Sequence, residues 1–364
     1  MIYGNIILIA VPVILAAAGV FCSAKEQKAL FSLLFGAAVF LEAGLCRIMD
    51  TDAAGYEGQR LGLLGMLTDG MSVDSIFGIE APPGQLIILK ICMGAGIGVS
   101  GFLTVQAALQ AFLAAAYIYN RPDGPYAGAV VFSACFLPWS FVSANSFTAM
   151  LICLFSAKYT EERRFLRAAA VFLAAACFDI SAVLLIPLWL ITLIPNNWAA
   201  LLISAAAAAS AALLPDVTGA VYGFLGEGMY TGRQTPVPAA VFAAAAALVL
   251  ILTTAMFRHR NERTARLIPA AICGAALSAA GIFAPELFVI SQAMLALSLT
   301  AIAPDANAIA GRFAEILLPG AGKKAAVAVG VILTAAVTGV CAYLILSGSV
   351  GSSYFGTVLF GAGV

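Results

Sequence analysis

Charged residues are scarce in this chain. Eighteen basic and eighteen acidic residues make up 10% of its 364 positions, whereas a soluble domain carries roughly 25%. Hydrophobic residues account for 63%, and the mean hydropathy is +1.03. So few charges cannot cover the surface of a water-soluble globule of this length, and the composition predicts a multi-pass membrane protein.

Net charge and clustered metal ligands are also lacking. The formal net charge is zero and His259 is the single histidine, so no basic excess points to nucleic acid, and no nucleic-acid partner is expected. The eight cysteines are scattered through apolar runs without a Cys-x-x-Cys pair, which favours small core residues over disulfides or metal ligands. We therefore expect no metal and no cofactor.

The apolar run Ile6–Val20 lacks a preceding basic region and a small-residue cleavage site, which predicts a retained first span.

Long apolar runs predict the fold class. Runs of roughly 17–25 residues are typical of membrane-spanning helices. They lie near 3–22, 29–46, 100–119, 126–139, 143–157, 197–214, 237–257, 267–283, 286–303 and 325–346. The prediction is an all-α, polytopic integral membrane protein, a single transmembrane domain over 1–364 with about 11 transmembrane segments.

One further apolar stretch, 168–195, determines the topology, because Asp179 and Ser181 interrupt it. If the stretch reverses at Asp179 as a re-entrant helical hairpin, fourteen of the eighteen basic residues fall on the side of Lys25 and Lys28; with a single crossing, eight fall on that side and ten on the other. Cytoplasmic loops are rich in Lys and Arg, so the count favours the hairpin with the basic side in the cytoplasm. The sequence thus predicts a multi-pass protein of a bacterial cytoplasmic membrane.

The longest polar segment, 47–99, is then an extracytoplasmic loop. It contains six acidic residues, and its last part, Gln85–Met93, is apolar except for Lys90 and follows Pro82-Pro83-Gly84. A segment this short that begins with proline predicts a helix lying on the membrane surface. A second extracytoplasmic loop is predicted over 215–236.

Arg47, Asp50 and Asp52 lie where the second span meets the headgroup region. An Arg guanidinium matches phosphate oxygens, and a carboxylate can accept a proton from a sugar hydroxyl. The residues suit a phosphate-activated glycan donor, although an Arg–Asp pair that only ends the span fits the spacing equally well.

The layout around these residues resembles the EpsG-like branch of the Wzy-type exopolysaccharide polymerases. The resemblance rests on two spans joined by a basic loop, on Arg47 with Asp50-Thr51-Asp52 and Tyr56, and on Glu80 with Pro83 before an apolar helix. It extends to FSAKYTEERRFLRAAAVFLAAACFDISAVLLIPLWLI. This chain differs from the family at two places. Asp179 follows Phe178 where the family usually has His, and Ser146-Phe147 follow Asn145 where it usually has Arg-Gln.

The resemblance implies a membrane glycosyltransferase that polymerises polyprenyl-phosphate-linked or polyprenyl-diphosphate-linked oligosaccharides at the outer face of the cytoplasmic membrane. Its partners would be this lipid-linked glycan, membrane lipids and other proteins of polysaccharide synthesis and export. Arg47, Asp50 and Asp52 are the catalytic candidates. The residues expected to contact substrate are Tyr56, Glu80, Lys90, Asp179 and Arg233.

Other functions stay open. Ala81-Pro82-Pro83-Gly84 before a surface helix also resembles lipid-linked-sugar glycosyltransferases of the GT-C type. A transporter or flippase would place polar residues on broken helices in the membrane, and Glu42, Asp179 and Ser181 suit that arrangement. A catalytically inactive scaffold of an export complex is the remaining class.

Overall fold

The structure is a computed structural model that describes part of the chain. The described residues are 11, 14–15, 25–49, 82–96, 99–121, 128–129, 131–133, 136–137, 144–194, 197–213, 265–280 and 286–317. Within these ranges the regular secondary structure is helical and no strand occurs, so the all-α prediction is confirmed for them. The predicted spans near 3–22, 237–257 and 325–346 lie wholly or mostly outside the described residues, and half of 126–139 does.

Ten α-helices and two short 3-10 helices are described, and they are named here in chain order. They are α1 Lys25–Met49, α2 Pro83–Gly94, α3 Val99–Asn120, α4 Ala144–Leu154, α5 Ser156–Glu161, α6 Phe165–Ala176, η1 Ile180–Leu184, α7 Leu185–Trp189, η2 Leu190–Leu193, α8 Asn197–Leu213, α9 Ile268–Ala280 and α10 Glu286–Leu317. Helix α10 continues through Pro304, beyond the end predicted at 303, although proline removes one backbone hydrogen bond and often ends a helix.

Helices α1 and α3 pack closely side by side. A Cβ added to Gly36 would lie 2.9 Å from the Cβ of Ala115 and 3.0 Å from the carbonyl oxygen of Ala111. Small residues on both helices therefore allow this approach, as is common for helices that pack in lipid. The Nζ of Lys28, near the start of α1, donates to the carbonyl of Arg121, just past α3. The two helices are thus antiparallel.

The chain reverses direction at Asp179. Helix α6 leads away from Phe165, and the segment after Asp179 returns until the ring of Trp189 lies 5.1 Å from that of Phe165. The indole Nε1 of Trp189 also donates to the hydroxyl of Thr160, which precedes α6, at 2.6 Å. Residues 165–193 therefore form a helical hairpin, the shape that the re-entrant interpretation requires. Its relation to a membrane stays a prediction.

Two apolar cores hold these helices together. One joins the hairpin to α4, α8, α9 and α10 through large buried side chains such as Phe172, Leu185 and Met294. The other joins α1, α3, α4 and α10 with a phenylalanine cluster that includes Phe132 and Phe147, whose rings stack at 5.9 Å. The hairpin is therefore an integral part of the bundle. Within the described ranges, no helix combines the length and the apolarity needed to cross a membrane.

Candidate functional site

Helix α2 lies where the sequence predicts a surface helix. Pro83 occupies its first position, where the missing amide hydrogen has no intrahelical partner to lose. One face packs on α3, since Leu89 and Cys92 are buried against Phe102. The other face exposes Ile87, Lys90 and Ile91. The helix is therefore apolar on both of these faces, and its exposed face carries one cation, Lys90.

The first turn of α2 contacts the turn of the hairpin. The amide of Gly84 donates to the carbonyl of Cys177 at 2.6 Å, which pairs a free N–H at a helix start with a free carbonyl at the end of α6. A Cβ on Gly84 would lie 2.8 Å from that carbonyl oxygen and 3.0 Å from the ring of Phe178. Glycine is therefore needed for the contact between α2 and the hairpin turn.

A chain of side-chain amides runs from α2 into the interior. Asn145 Nδ2 donates to Gln85 Oε1 at 2.8 Å, and Gln106 Nε2 donates to Asn145 Oδ1 at 3.0 Å. One turn further along α3, Gln110 Nε2 donates to the hydroxyl of Thr148 at 2.9 Å. Hydrogen-bonded polar groups specify a packing arrangement because each would be costly to bury alone. The amides therefore fix α2, α3 and α4 relative to one another.

Asp179 lies at the hairpin turn and is buried, with 4% of its surface exposed. Its backbone is extended, and its Oδ1 accepts from the amide of Ser181 at 3.0 Å and from the hydroxyl of Ser181. This is the geometry of a helix N-cap, which Asn could also provide. Among the residues whose side-chain burial the structure describes, Asp179 is the only charged residue that is buried.

A small cavity adjoins Asp179 between the hairpin, α4 and α10. It offers about 20 Å³ to the centres of water-sized molecules, which is room for about one water molecule. Its polar lining consists of Ser146, Asp179, Ser181 and Gln292, with the thiol of Cys153 nearby. The Nε2 of Gln292 is buried and has no hydrogen-bond partner in the part of the chain that the structure describes. Ser146 of α4 and Asp179 of the hairpin turn thus line one cavity.

The opposite end of α6 is rich in cations. Arg121 forms an ion pair with Glu161 at 2.8 Å, and the guanidinium of Arg266 donates to the carbonyl of Glu161. Lys28 joins the same group through the carbonyl of Arg121. These contacts place Arg266 at the same end as Lys28 and Arg121, as the hairpin topology requires.

The structure places three of the residues predicted to form the site. Arg47 lies in the last turn of α1, Lys90 is exposed on α2, and Asp179 is buried in the hairpin turn. Because α1 and α3 are antiparallel, the end of α1 lies at the same end of the bundle as α2. Lys90 does not line the cavity beside Asp179. The other predicted site residues, Asp50, Asp52, Tyr56, Glu80 and Arg233, lie outside the described residues.

Sequence reasoning missed the buried amides, of which Gln292 lines the cavity and Gln106 and Gln110 bond to α4. Gln106 and Gln110 are four positions apart and therefore share a helix face, a spacing that signals a polar stripe inside an apolar run. Gln292 is an isolated amide in the apolar run ELFVISQAMLAL. Its position opposite Asp179 depends on tertiary packing and has no local signal.

Groups of three or more His, Cys, Asp or Glu side chains that could hold a metal ion do not occur among the described residues. Comparisons of the chain with protein-family models, with curated proteins and with solved structures find no match.

Proposed function

We propose that this protein is a polytopic membrane glycosyltransferase of the polysaccharide-polymerase type. Its substrate is a polyprenyl-phosphate-linked or polyprenyl-diphosphate-linked oligosaccharide, and it acts at the outer face of a bacterial cytoplasmic membrane in exopolysaccharide synthesis. The proposal rests on the composition, on the resemblance of the 47–99 segment and the hairpin region, and on the arrangement of the described helices.

The distribution of polar and apolar side chains supports a lipid environment. Large apolar residues are exposed on separate helices, while hydroxyls and amides are buried between the helices. The exposed residues include Leu33, Phe112, Leu166, Leu202 and Ile316, and the buried polar ones include Gln106, Gln110, Thr148, Ser291 and Ser298. Exposed apolar side chains on several helices fit a lipid environment, and helices that pack in lipid often use hydroxyl and amide groups between them.

The difference between the two ends of the bundle supports the orientation. The end with Lys28, Arg121 and Arg266 matches the basic side that faces the cytoplasm in bacterial membrane proteins. The end with α2 then faces outward, and the polar 47–99 segment lies on that side.

One observation carries the proposal: the contact between Gly84 and Cys177 places the end of this polar segment directly on the hairpin turn. In the proposed reaction Arg47 holds the donor phosphate, and Asp52 or Asp50 accepts the proton of the acceptor hydroxyl or orients it. Tyr56 and Glu80 line the same site, and the exposed Lys90 is a phosphate contact at headgroup level.

The test is the ratio of polymer to unpolymerised lipid-linked repeat units in cells that make the product. Arg47→Lys is expected to abolish polymer at unchanged protein level, because an ammonium cannot replace a bidentate guanidinium. Asp52→Asn is expected to do the same, since an amide cannot act as a base. Asp69→Asn, further along the loop, is the control with normal product. Polymer of normal length in both Arg47→Lys and Asp52→Asn strains would show that Arg47 and Asp52 are not part of the active site.

A lipid-linked-glycan transporter is the second candidate, and the hairpin turn favours it. Transporters often hold their substrates where helices are broken inside the membrane, and Asp179 is buried at such a break. In the same assay, a transporter defect would stop lipid-linked units before they reach the outer face. A polymerase defect would let them accumulate there.

A further inference from the structure

The segment that joins α5 to α6 carries a cluster of exposed cations. Four basic residues lie within ten positions, and all four are exposed. They are Lys158, Arg163, Arg164 and Arg167. The two acidic residues of the segment already form ion pairs, Glu161 with Arg121 and Glu162 with Arg164. The surface of this segment is therefore positively charged.

The backbone of the segment holds these cations in place. The amides of Arg163 and Arg164 donate to carbonyls in the last turn of α5 at 3.1 and 2.8 Å. The ring of Phe165 packs on that of Trp189 at 5.1 Å, which fixes the start of α6 on the hairpin. A preorganised cluster loses less conformational entropy when its side chains share one ligand.

The exposed face of α6 is apolar beyond this cluster. Leu166 and Leu173 are 81% and 54% exposed, and Ala170 between them is exposed as well. These residues are four and three positions apart, so they lie on one side of the helix, while Phe172 on another side is buried in the core. Arg167 adjoins Leu166 where this face begins. A change from basic to apolar side chains along one helix face is expected where a helix enters lipid.

An anionic phospholipid matches this order of surfaces. Its phosphate oxygens accept hydrogen bonds from guanidinium and ammonium donors, and its acyl chains are apolar like Leu166 and Leu173. A soluble anion would contact the cations without the leucines, and a neutral phospholipid would contact the leucines with little gain from the cations. Near an anionic membrane surface, each Lys or Arg contributes about fivefold in affinity.

We propose that the exposed cations of the 158–167 segment and the adjoining leucine face of α6 form a binding site for an anionic phospholipid of the cytoplasmic leaflet. The lipid anchors the start of the hairpin at headgroup level. The site rests on the membrane setting of the proposed function and not on its glycan chemistry, so it is tested by lipid binding and not by polymer output.

The test measures the binding of dioleoyl-phosphatidylglycerol and dioleoyl-phosphatidylcholine to the purified full-length protein in detergent, by native mass spectrometry. The two lipids share their acyl chains and differ in headgroup charge. We expect phosphatidylglycerol to bind about tenfold more tightly or more, because its net negative charge is attracted to the cluster. Equal binding of the two lipids would overturn the proposal.

Neutral variants assign this preference to the cluster. The triple variant Lys158→Gln, Arg163→Gly, Arg167→Gln is expected to fold, since glycine suits the left-handed backbone at position 163 and all three positions are exposed. Its preference for phosphatidylglycerol should fall about tenfold or more. The charge-preserving variant Lys158→Arg, Arg163→Lys, Arg167→Lys is the matched control and should keep the preference. A preference that survives in the neutral variant would overturn the proposal, because the lipid would then bind elsewhere.

Two single substitutions test the site while these cations stay in place. Glu162→Gln releases Arg164 from its ion pair and is expected to tighten the binding of phosphatidylglycerol. Leu166→Ser removes apolar contact and is expected to weaken it. Soluble glycerol phosphate, which lacks acyl chains, should bind much more weakly than the lipid. Equal binding of glycerol phosphate would identify a free-phosphate site and overturn the lipid assignment, and so would unchanged lipid binding in both Glu162→Gln and Leu166→Ser.

Discussion

The acidic side chains near the two ends of helix α6 differ in whether a cation pairs with them. At the start of α6, Glu161 is mostly buried and pairs with Arg121, and the guanidinium of Arg266 binds its backbone carbonyl. At the other end, about 18 Å away by helix rise, Asp179 is buried beside an unpartnered amide and has no cationic partner among the described residues. The paired end has the features of a structural clamp, whereas the Asp179 end holds a buried carboxylate beside a small cavity.

We expect the largest loss of stability from a substitution in the clamp, the ion pair of Arg121 and Glu161. In Glu161→Ala, the mostly buried Arg121 would lose its carboxylate and keep only neutral groups such as the carbonyl of Ala301 among its described contacts. Loss of one partner of a buried ion pair typically costs about 3–5 kcal/mol. The side chains of Arg121 and Glu161 are only 12% and 15% exposed. We expect a large fall in melting temperature in detergent.

Glu162→Ala is the matched control for the clamp. Glu162 pairs with Arg164 at 2.9 Å, but these side chains are 32% and 50% exposed, and exposed pairs contribute about 0–1 kcal/mol. Equal losses of stability in Glu161→Ala and Glu162→Ala would show that burial does not distinguish the two pairs.

The contact of α2 with the hairpin turn should be the next most sensitive feature. Gly84→Ala would place a Cβ 2.8 Å from the carbonyl oxygen of Cys177, so backbone must shift. Overpacking of this kind costs about 1–3 kcal/mol. Since α2 ends the polar 47–99 segment, we expect less polymer per molecule of protein as well as a lower melting temperature.

Gly94→Ala is the control on the same helix, because a Cβ at Gly94 would meet nothing within 4 Å. It is expected to leave the product and the melting temperature close to those of the wild type. If Gly84→Ala behaves like Gly94→Ala, the contact at the hairpin turn has no role in the proposed site.

The smallest expected effect is at the turn between α5 and α6, on the clamp side. Arg163 has φ +56, and the amides of Arg163 and Arg164 donate to the carbonyls of Thr160 and Tyr159. This is a Schellman motif with arginine in the left-handed position that usually carries glycine. Arg163→Gly is expected to raise the free energy of unfolding by up to about 1 kcal/mol.

Arg164→Gly provides the comparison, since Arg164 has φ −94 and gains nothing from glycine. Its melting temperature should fall slightly. A lower stability of Arg163→Gly than of Arg164→Gly would contradict the assignment of the left-handed conformation.

The sequence predicted those parts of the fold that depend on local patterns. Apolar runs located α1, α3 and α8 to within a few residues, and Pro82-Pro83 located the start of α2, because proline at a helix start is a local signal. The helix break at Asp179 could also be predicted from the sequence, since a carboxylate interrupts an apolar run there.

The environment of Asp179 could not be predicted in the same way. The approach of Gln292, the contact with Gly84 and the small cavity arise from packing between helices far apart in the chain. Periodicity reports which face of a helix is polar, but it does not report which helix that face meets.

We propose that the start of α6 lies on the cytoplasmic side of a membrane and that α2 lies on its outer side. This proposal can be tested with single cysteines in a chain whose eight native cysteines are replaced by alanine. Lys90→Cys, on exposed α2, should react with an impermeant thiol reagent in intact cells. Arg163→Cys, exposed at the clamp end, should react only after the cells are permeabilised. Labelling of both positions in intact cells, or of Arg163→Cys alone, would contradict the account.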